Sequence, residues 1–332
     1  MLCLTVAAAP PRGAGAAPAV AVVRAVVFGD INGPYGATTY HPTVTQVVAR
    51  IATEWRPDVV LLPGDLVAGQ SGNLPDARFP EMWRAFDAAV AGPLRRASIP
   101  MALAVGNHDA SAARDARGAY RFERERDHAA AYWRDPARRP RLRFLDESRF
   151  PFSYSFIVEG IFVLVLDAST HMIQDPQWVV AALTRADAAA AGMRIVMGHL
   201  PLYGVAEGRN VPGEVVADGE RWRGLFESLG VDLYVSGHHA AYYPAHRGAL
   251  RLLHAGAGVG ARSYVGHPGG RSRLTVTVMQ IDPRARTVAL ETFDVTSGAR
   301  VELGTLPQCL NGHNGPVFRV DVPQRSACGS RS

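Results

Sequence analysis

The chain has 332 residues, of which 48% are hydrophobic and 20% charged, so its composition excludes a largely disordered protein and suits a packed globular core. Its basic residues are all arginine, its net charge is only +5, and the cluster of Arg138, Arg139 and Arg141 is typical of a solvated loop rather than a nucleic-acid groove. No segment has the length and apolarity expected of a membrane-spanning helix.

Two tails enclose one region of regular pattern. Residues 1–20 are apolar and rich in Ala and Pro, which is typical of a disordered tail or of a shortened export signal. Residues 21–305 carry the hydrophobic periodicity of a folded domain, and residues 306–332 have the composition of a loop-like C-terminal tail.

Strands and helices alternate through most of the domain, and strands alone follow towards its end. In chain order, the patterns predict strands at 21–28, 58–62, 101–105, 152–158, 161–166, 194–197, 232–235, 250–254, 274–281 and 288–293, and helices at 43–55, 79–91, 117–133, 176–191 and 220–229.

Five of the predicted strands end in glycine followed by a polar or metal-binding side chain. These ends are Gly29-Asp30, Gly64-Asp65, Gly106-Asn107-His108-Asp109, Gly198-His199 and Gly237-His238. Any one of them alone would be an ordinary turn. Because ligand sites of α/β sheets lie beyond the carboxyl ends of the strands, the five ends together predict one shared polar site.

In this order the strand ends resemble the signature of the calcineurin-like metallophosphoesterases, over about residues 22–295. The segment Gly106-Asn107-His108-Asp109 is the most specific element of the match. The resemblance implies an α/β fold in which a two-sheet β-sandwich is flanked by helices, in four layers (α/β/β/α). It also implies hydrolysis of a phosphomonoester or phosphodiester by attack of a metal-activated hydroxide.

The resemblance implies two metal ions held by carboxylate, amide and imidazole groups. Asp65 would bridge both ions, since an anionic ligand with two oxygens can bind each of them and offset their charge. Asp30 would bind the first ion. Asn107, His199 and His238 would bind the second ion together with Asp65.

The resemblance also implies two catalytic residues. His108 would lie near the substrate, where it would stabilise the transition state or protonate the leaving oxygen. Asp109 would orient the imidazole ring of His108. The substrate implied is a small phosphate ester, and the sequence leaves the oligomeric state open.

Two positions depart from the family pattern, and both affect the first metal ion. Asn32 replaces a histidine but can still coordinate through its neutral oxygen, and a bacterial branch of the family carries Asn there. Ala240 replaces the last histidine and cannot coordinate. The adjacent His239 would compensate only if the backbone bends, because neighbouring side chains of an extended segment point to opposite sides.

These ligands therefore predict one tightly held metal ion at the second site and a more weakly held ion at the first site. Manganese, iron and zinc are all compatible with them. The surviving Asp30, Asp65, Asn107 and His108 favour an enzyme. Ala240 favours the alternative, a weakly active or non-catalytic metal-binding relative with a compromised first site.

Two further features leave alternatives open. Arg262 could reach a phosphate, although its loop context favours a structural role. Cys309 and Cys328 bracket the C-terminal tail, and in an oxidising compartment they could form a disulfide worth about 3 kcal/mol. In the cytosol they would be two thiols. With the apolar opening, they favour an exported or periplasmic protein over a cytoplasmic one.

Overall fold

The computed structural model of the protein describes residues 22–325 and residue 328, so the predicted tail at 1–20 lies outside the described residues. The strands are β1 (Val23–Val27), β2 (Val59–Leu62), β3 (Met101–Leu103), β4 (Arg143–Arg149), β5 (Ser153–Val158), β6 (Ile161–Val165), β7 (Met193–Met197), β8 (Leu233–Ser236), β9 (Tyr242–Arg247), β10 (Leu250–Ala255), β11 (Ser263–Tyr264), β12 (His267–Arg271), β13 (Thr275–Asp282), β14 (Thr287–Asp294), β15 (Cys309–Gly312) and β16 (Gly315–Arg319).

The helices lie mainly between the parallel strands. They are α1 (Pro42–Arg50), α2 (Arg78–Phe86), α3 (Gly92–Arg96), α4 (Asn107–Ala110), α5 (Glu123–Arg134), α6 (Pro176–Leu183), α7 (Ala186–Ala190) and α8 (Gly219–Ser228), with π-helical turns at Ile51–Trp55 and Asp87–Ala91 and a 3₁₀ turn at Leu303–Thr305. Among the described helices, none is both long and apolar enough to span a bilayer.

Most strands belong to two mixed sheets. The first has the order β14-β13-β1-β2-β3, and the second has the order β15-β16-β9-β10-β8-β7-β6-β5-β4. β1 to β3 are parallel to one another, as are β6, β7, β8 and β10, and β11 and β12 form a separate two-stranded sheet. Buried side chains of both sheets form one hydrophobic core, which confirms the two-sheet α/β fold.

The central strands show why the alternation of strand and helix is readable in the sequence. In β1, Val26 pairs with Val60 of β2 on one side and with Val278 of β13 on the other. Its side chain is fully buried, as are almost all of those in β2, β3 and β6. Parallel strands covered on both faces are continuously apolar, as these are.

Two of the predicted helices are shorter or broken. The helix expected at 117–133 begins at Glu123, because Arg114 and Tyr120 pair as a β-bridge around the positive-φ turn at Gly118. The helix expected at 176–191 divides into α6 and α7. It breaks after Thr184, whose hydroxyl donates back to helix carbonyls and whose successor is extended.

The C-terminal tail is not loop-like, and that prediction was wrong. β15 and β16 form a hairpin that joins the edge of the second sheet, where Phe318 pairs with His246 of β9. Its strands are too short for their apolar residues, such as Leu310 and Val317, to form a recognisable pattern. The pairing of Cys309 with Cys328 in a disulfide is confirmed.

The turn of this hairpin braces the segment between β7 and α8, called here the 200–218 loop. The carbonyl of His313 accepts from Gly204 N (3.0 Å). The side-chain amide of Asn314 donates to Leu202 O (2.7 Å) and to Val216 O (2.8 Å). The hairpin thus holds both ends of the loop.

Candidate metal centre

Residues at the carboxyl ends of five parallel strands meet where the two sheets adjoin. Asp30, Asp65 and Asn107 follow β1, β2 and β3 of the first sheet, and His199 and His238 follow β7 and β8 of the second. All five are buried. The predicted convergence of the strand ends is confirmed.

Four of these residues surround a single point, called here the second-ion side. Asn107 Oδ1 lies 2.9 Å from both His199 Nε2 and His238 Nδ1, and His199 Nε2 lies 3.3 Å from Asp65 Oδ1. One donor atom from each of Asp65, His199 and His238 falls within 4.8 Å of the others, a grouping that could hold a metal ion.

Hydrogen bonds from outside determine which ring atoms face this point. His199 Nδ1 lies 2.7 Å from Pro63 O and donates to it, and His238 Nε2 lies 2.8 Å from Glu214 Oε2 and donates to it. In the neutral form of each ring the proton is therefore on the outer nitrogen, and the inner nitrogen presents a lone pair. Such outer partners orient metal-binding imidazoles and raise their basicity.

The amide of Asn107 is oriented in the same way. Its Nδ2 donates to Gln70 Oε1 at 2.6 Å, which turns Oδ1 towards His199 and His238. Lone pairs from oxygen and nitrogen therefore converge at separations near 3 Å. Tetrahedral zinc, with bonds of about 2.0–2.1 Å, separates its ligands by about 3.3 Å, so this donor set fits a metal ion.

The charges of the buried groups depend on one another. Burial alone would raise the pKa of Asp65, but the proximity of His199 holds it well below its usual value. Burial would likewise lower the pKa of His199, but the Asp65 carboxylate raises it to about 9. Burial raises the pKa of Asp30 to about 8, against the nearby charge of His199, which lowers it.

The first-ion side consists of Asp30, Asn32 and Ala240 beside Asp65. Both oxygens of Asp30 accept from His238 N, at 2.9 and 3.0 Å. Asn32 N donates to Asp65 O (3.2 Å), while its side chain makes no hydrogen bond within the described residues. Ala240 offers no donor atom, so this side has fewer ligands.

His239 does not compensate for Ala240. The backbone does bend here, since both neighbours of His239 have positive φ (66° at His238 and 50° at Ala240). However, His239 Nδ1 accepts from Val205 N (3.2 Å) and Nε2 lies 2.9 Å from Glu214 O. Both ring nitrogens therefore bond the backbone of the 200–218 loop, and neither faces the centre.

The backbone at the centre is strained. Asp30, Asp65, His238 and Ala240 have φ of 49°, 54°, 66° and 50°, in the left-handed region that side chains rarely occupy. Each such residue costs about 1–3 kcal/mol, which the surrounding fold must offset. Strain of this kind is concentrated at functional sites.

Glycine at the strand ends is required by the closeness of the carboxylates. A Cβ on Gly106 would overlap Asp65 Oδ1, and one on Gly237 would overlap Asp30 Oδ2. The glycines of the sequence motifs therefore let the backbone of one strand end approach the carboxylate of another.

His108 lies at the mouth of the centre, with its side chain 17% exposed. Its backbone amide donates to Asp65 Oδ1 (3.0 Å), and its Nδ1 lies 3.1 Å from Gly69 O. With a proton on Nδ1 donated to that carbonyl, Nε2 faces the mouth, 4.0 Å from Asp65 Oδ2. Tyr35 covers the ring at 5.3 Å between centroids.

The prediction that Asp109 orients the ring of His108 was wrong. The carboxylate of Asp109 accepts from the amides of Leu66 (2.7 Å), Val67 (2.8 Å) and Gly106 (2.8 Å). It therefore ties the turn after β2 to the turn after β3. Gly69 O, rather than Asp109, orients His108.

Sequence reasoning missed three side chains around the centre. Gln70 follows the Gly64-Asp65 turn, and Arg209 and Glu214 lie in the 200–218 loop. Arg209 Nη1 donates to Glu214 Oε2 (2.6 Å) and lies 2.8 Å from His238 Nε2. The hydrogen bond from His238 lowers the pKa of Glu214 to about 2, so Glu214 is ionised.

Comparison with known proteins identifies the fold. The family model described as calcineurin-like phosphoesterase matches residues 23–242. No curated protein matches the chain.

Solved structures with this fold are distant in sequence. A purple acid phosphatase from yellow lupin (Lupinus luteus) seeds has a TM-score of 0.58 at 16% identity, over 85% of this chain and 53% of its own, so this chain spans about half its length. A dimetal phosphatase from Danio rerio has a TM-score of 0.50 at 14% identity, and the match covers 78% of this chain and 93% of the phosphatase. GAP50, the anchor in the inner membrane complex of Plasmodium, has a TM-score of 0.50 at 12% identity, and the match covers 92% of this chain and 90% of GAP50.

Proposed function

Because this chain belongs to the calcineurin-like phosphoesterase family, we propose that it is a metal-dependent hydrolase of a small phosphate ester. The observation that carries the proposal is the convergence of lone pairs from Asn107, His199 and His238 on the carboxylate of Asp65, each fixed from outside the centre. A metal ion at that point would replace the proton that the Asp65 carboxylate favours on His199.

The ligands follow from this geometry. Asp65, Asn107, His199 and His238 would hold a tightly bound ion, and Asp30 and Asn32 would hold a weaker one with Asp65. When bound, the ions would supply electrostatic stabilisation to the attacking and leaving oxygens of a displacement at phosphorus. Oxygen donors on the first-ion side favour manganese or magnesium there, whereas the imidazoles also suit zinc or iron.

The chain itself supplies proton transfer and positioning. His108 Nε2 faces the mouth, where it would hold a proton for the leaving oxygen of the ester. Asp109 keeps the turns that carry Asp65 and His108 at a fixed separation. The side chains of the centre are buried, and a buried site of low dielectric constant strengthens these charge interactions.

Turnover of two chromogenic esters tests the proposal. Protein freed of metal and then supplied with manganese, iron or zinc should hydrolyse p-nitrophenyl phosphate, its bis ester, or both, and the chelated protein should hydrolyse neither. A protein that binds metal yet turns over neither ester with any of the three metals would contradict the assignment as an enzyme.

That outcome would favour a second function, a metal-binding protein without catalysis. Ala240 supports this alternative because it removes a ligand that His239 does not replace. GAP50, which shares the fold, is described as an anchor. Fold alone therefore does not decide between catalysis and binding.

An exported or periplasmic location is proposed as well. The disulfide between Cys309 and Cys328 supports it, because disulfides persist mainly in oxidising compartments. Protein isolated from the periplasm of an expression host should show no titratable thiol at either cysteine before reduction and both after it. Two free thiols at these positions in the untreated periplasmic protein would contradict the proposal.

A further inference from the structure

The loop between β10 and β11 carries Arg262 to the first-ion side of the centre. Its backbone is tied to that side at two points. Val259 N donates to Asp30 O (3.3 Å), and Arg262 N donates to Ala240 O (2.9 Å). The backbone of Arg262 is therefore held beside the first-ion side, where a histidine ligand is missing.

Arg209 extends from the 200–218 loop to the outer nitrogen of His238, a residue of the second-ion side. Its Nη1 bonds Glu214 at 2.6 Å and lies 2.8 Å from the ring of His238. Its Nε is buried and has no hydrogen-bond partner within the described residues. A buried donor without an acceptor costs free energy, so an oxygen atom of a ligand would stabilise this side chain.

The two arginines are neighbours. Glu207 N donates to Ser263 O (2.9 Å), which joins their loops, and Arg262 Nη1 lies 3.5 Å from the position that a Cβ on Gly208 would take. Burial lowers the pKa of Arg262, and the positive charge of Arg209 lowers it further. In the described part of the chain Arg209 pairs with Glu214 while Arg262 forms no ion pair, so the group carries one excess positive charge.

We propose that Arg209 and Arg262 together bind the non-bridging oxygens of the substrate's phosphate group and make a terminal phosphate, as in a phosphomonoester, the preferred substrate. The proposal rests on the proposed function and specifies its substrate class. Arginine suits the role because its planar guanidinium presents several donors to phosphate oxygens in fixed geometry.

Charge and shape both favour the monoester. A phosphomonoester carries a charge of about −1.5 to −2 at neutral pH, whereas a diester carries one negative charge and has an alkoxy group in place of one free oxygen. The excess positive charge beside Asp30 therefore attracts the monoester more strongly. On the first-ion side, this charge also adds to the attraction of the phosphate by a metal ion that is itself held only weakly.

Phosphate binding and turnover test the arginine pair in the full, manganese-loaded protein. For Arg209→Gln and Arg262→Gln, the affinity for inorganic phosphate measured by calorimetry at saturating manganese should fall about 10- to 100-fold, the scale of a lost hydrogen bond to a charged group. The kcat/KM for p-nitrophenyl phosphate should fall at least about tenfold more than that for the bis ester. Metal content is measured on the same samples.

Arg223→Gln is the matched control. The side chains of Arg209 and Arg223 are both 22% exposed and both pair with glutamate, but Arg223 lies on α8. This control should bind phosphate and turn over both esters as the wild type does. Phosphate affinity unchanged in both test variants, or equal losses for the two esters, would overturn the proposal.

Calorimetry separates this proposal from the proposed function. If the wild type hydrolyses neither ester, the function fails, but phosphate binding needs no turnover and still decides whether the arginine pair binds an anion. Loss of phosphate affinity in the two variants and not in Arg223→Gln would then support the anion site alone, and affinity equal in all four proteins would refute it.

Discussion

The two sides of the metal centre differ in how their donor atoms are held. On the second-ion side His199, His238 and Asn107 each bond an outer partner: Pro63 O, Glu214 and Gln70, respectively. On the first-ion side, within the described residues, the carboxylate of Asp30 bonds only the backbone amide of His238, the side chain of Asn32 has no partner, and Ala240 has no donor atom. Metal affinity depends on this outer support as well as on the ligands.

The largest effect is expected at Asp65, the ligand that we propose both sides share. Asp65→Asn removes the bridging charge, so most bound metal and nearly all turnover should be lost, exceeding the about 10- to 100-fold effect of losing an outer partner. Metal content after desalting and p-nitrophenol release measure both.

Asp232→Asn is the control for Asp65→Asn. Asp232 is equally buried (6% exposed against 5%) but lies at the opposite end of β8, where it bonds Arg194 and Arg286. It should keep its metal. If Asp65→Asn also keeps two ions and full turnover, the two sides do not share a ligand and the comparison between them fails.

A smaller loss is expected at His108, which belongs to neither side. His108→Ala should lower turnover roughly 10²–10⁴-fold, the scale of a lost general acid. Metal content should stay at the wild-type level, because the ring bonds Gly69 O and faces the mouth. His128→Ala, at a histidine of comparable exposure paired with Asp76 on the surface, is the control. Metal loss in the His108 variant would make His108 a ligand instead.

Gln70→Asn sharpens the comparison by removing one outer partner and nothing else. The shorter amide cannot reach Asn107, yet Asn tolerates the φ of 65° at this position. We expect metal affinity to fall about 10- to 100-fold. Ser98→Asn places the same residue at another left-handed position, on the exposed surface, and should change nothing. Equal metal affinity in the Gln70 variant would show that outer support does not distinguish the sides.

The smallest effect, a gain, is expected from Ala240→His. Histidine accepts positive φ more readily than most residues, so it should fit at 50°. We expect the number of ions bound at low manganese to rise from near one towards two, with turnover rising in parallel. Titration with manganese followed by metal analysis measures this. A wild type that already holds two ions tightly would show that the first-ion side is not deficient.

The positions of the candidate ligands could be predicted from sequence and those of their outer partners could not, for a physical reason. Asp30, Asp65, Asn107, His199 and His238 each follow a buried strand and a glycine, so their position is encoded locally. Glu214 and Arg209 reach His238 from a loop without periodic pattern, so nothing near them in the sequence indicates a contact 24 and 29 residues away.

The role of Asp109 was mistaken for a related reason. A motif gives neighbours in sequence, and Asp109 is next to His108, but its carboxylate bonds amides 42 and 43 residues earlier. The C-terminal hairpin escaped prediction because β15 and β16 gain their apolar surroundings only by joining β9.

That hairpin also bears on the order in which the protein becomes functional during synthesis. A ribosome makes the chain from the amino terminus, and domains fold as units once enough of them has emerged. Three of the proposed ligands, Asp30, Asp65 and Asn107, are made early, but His313 and Asn314, which brace the 200–218 loop, are among the last residues of the described strands and turns. A nascent chain therefore carries carboxylates for metal long before Glu214 and Arg209 are held in place, and a ribosome stalled before residue 309 would display an incomplete centre.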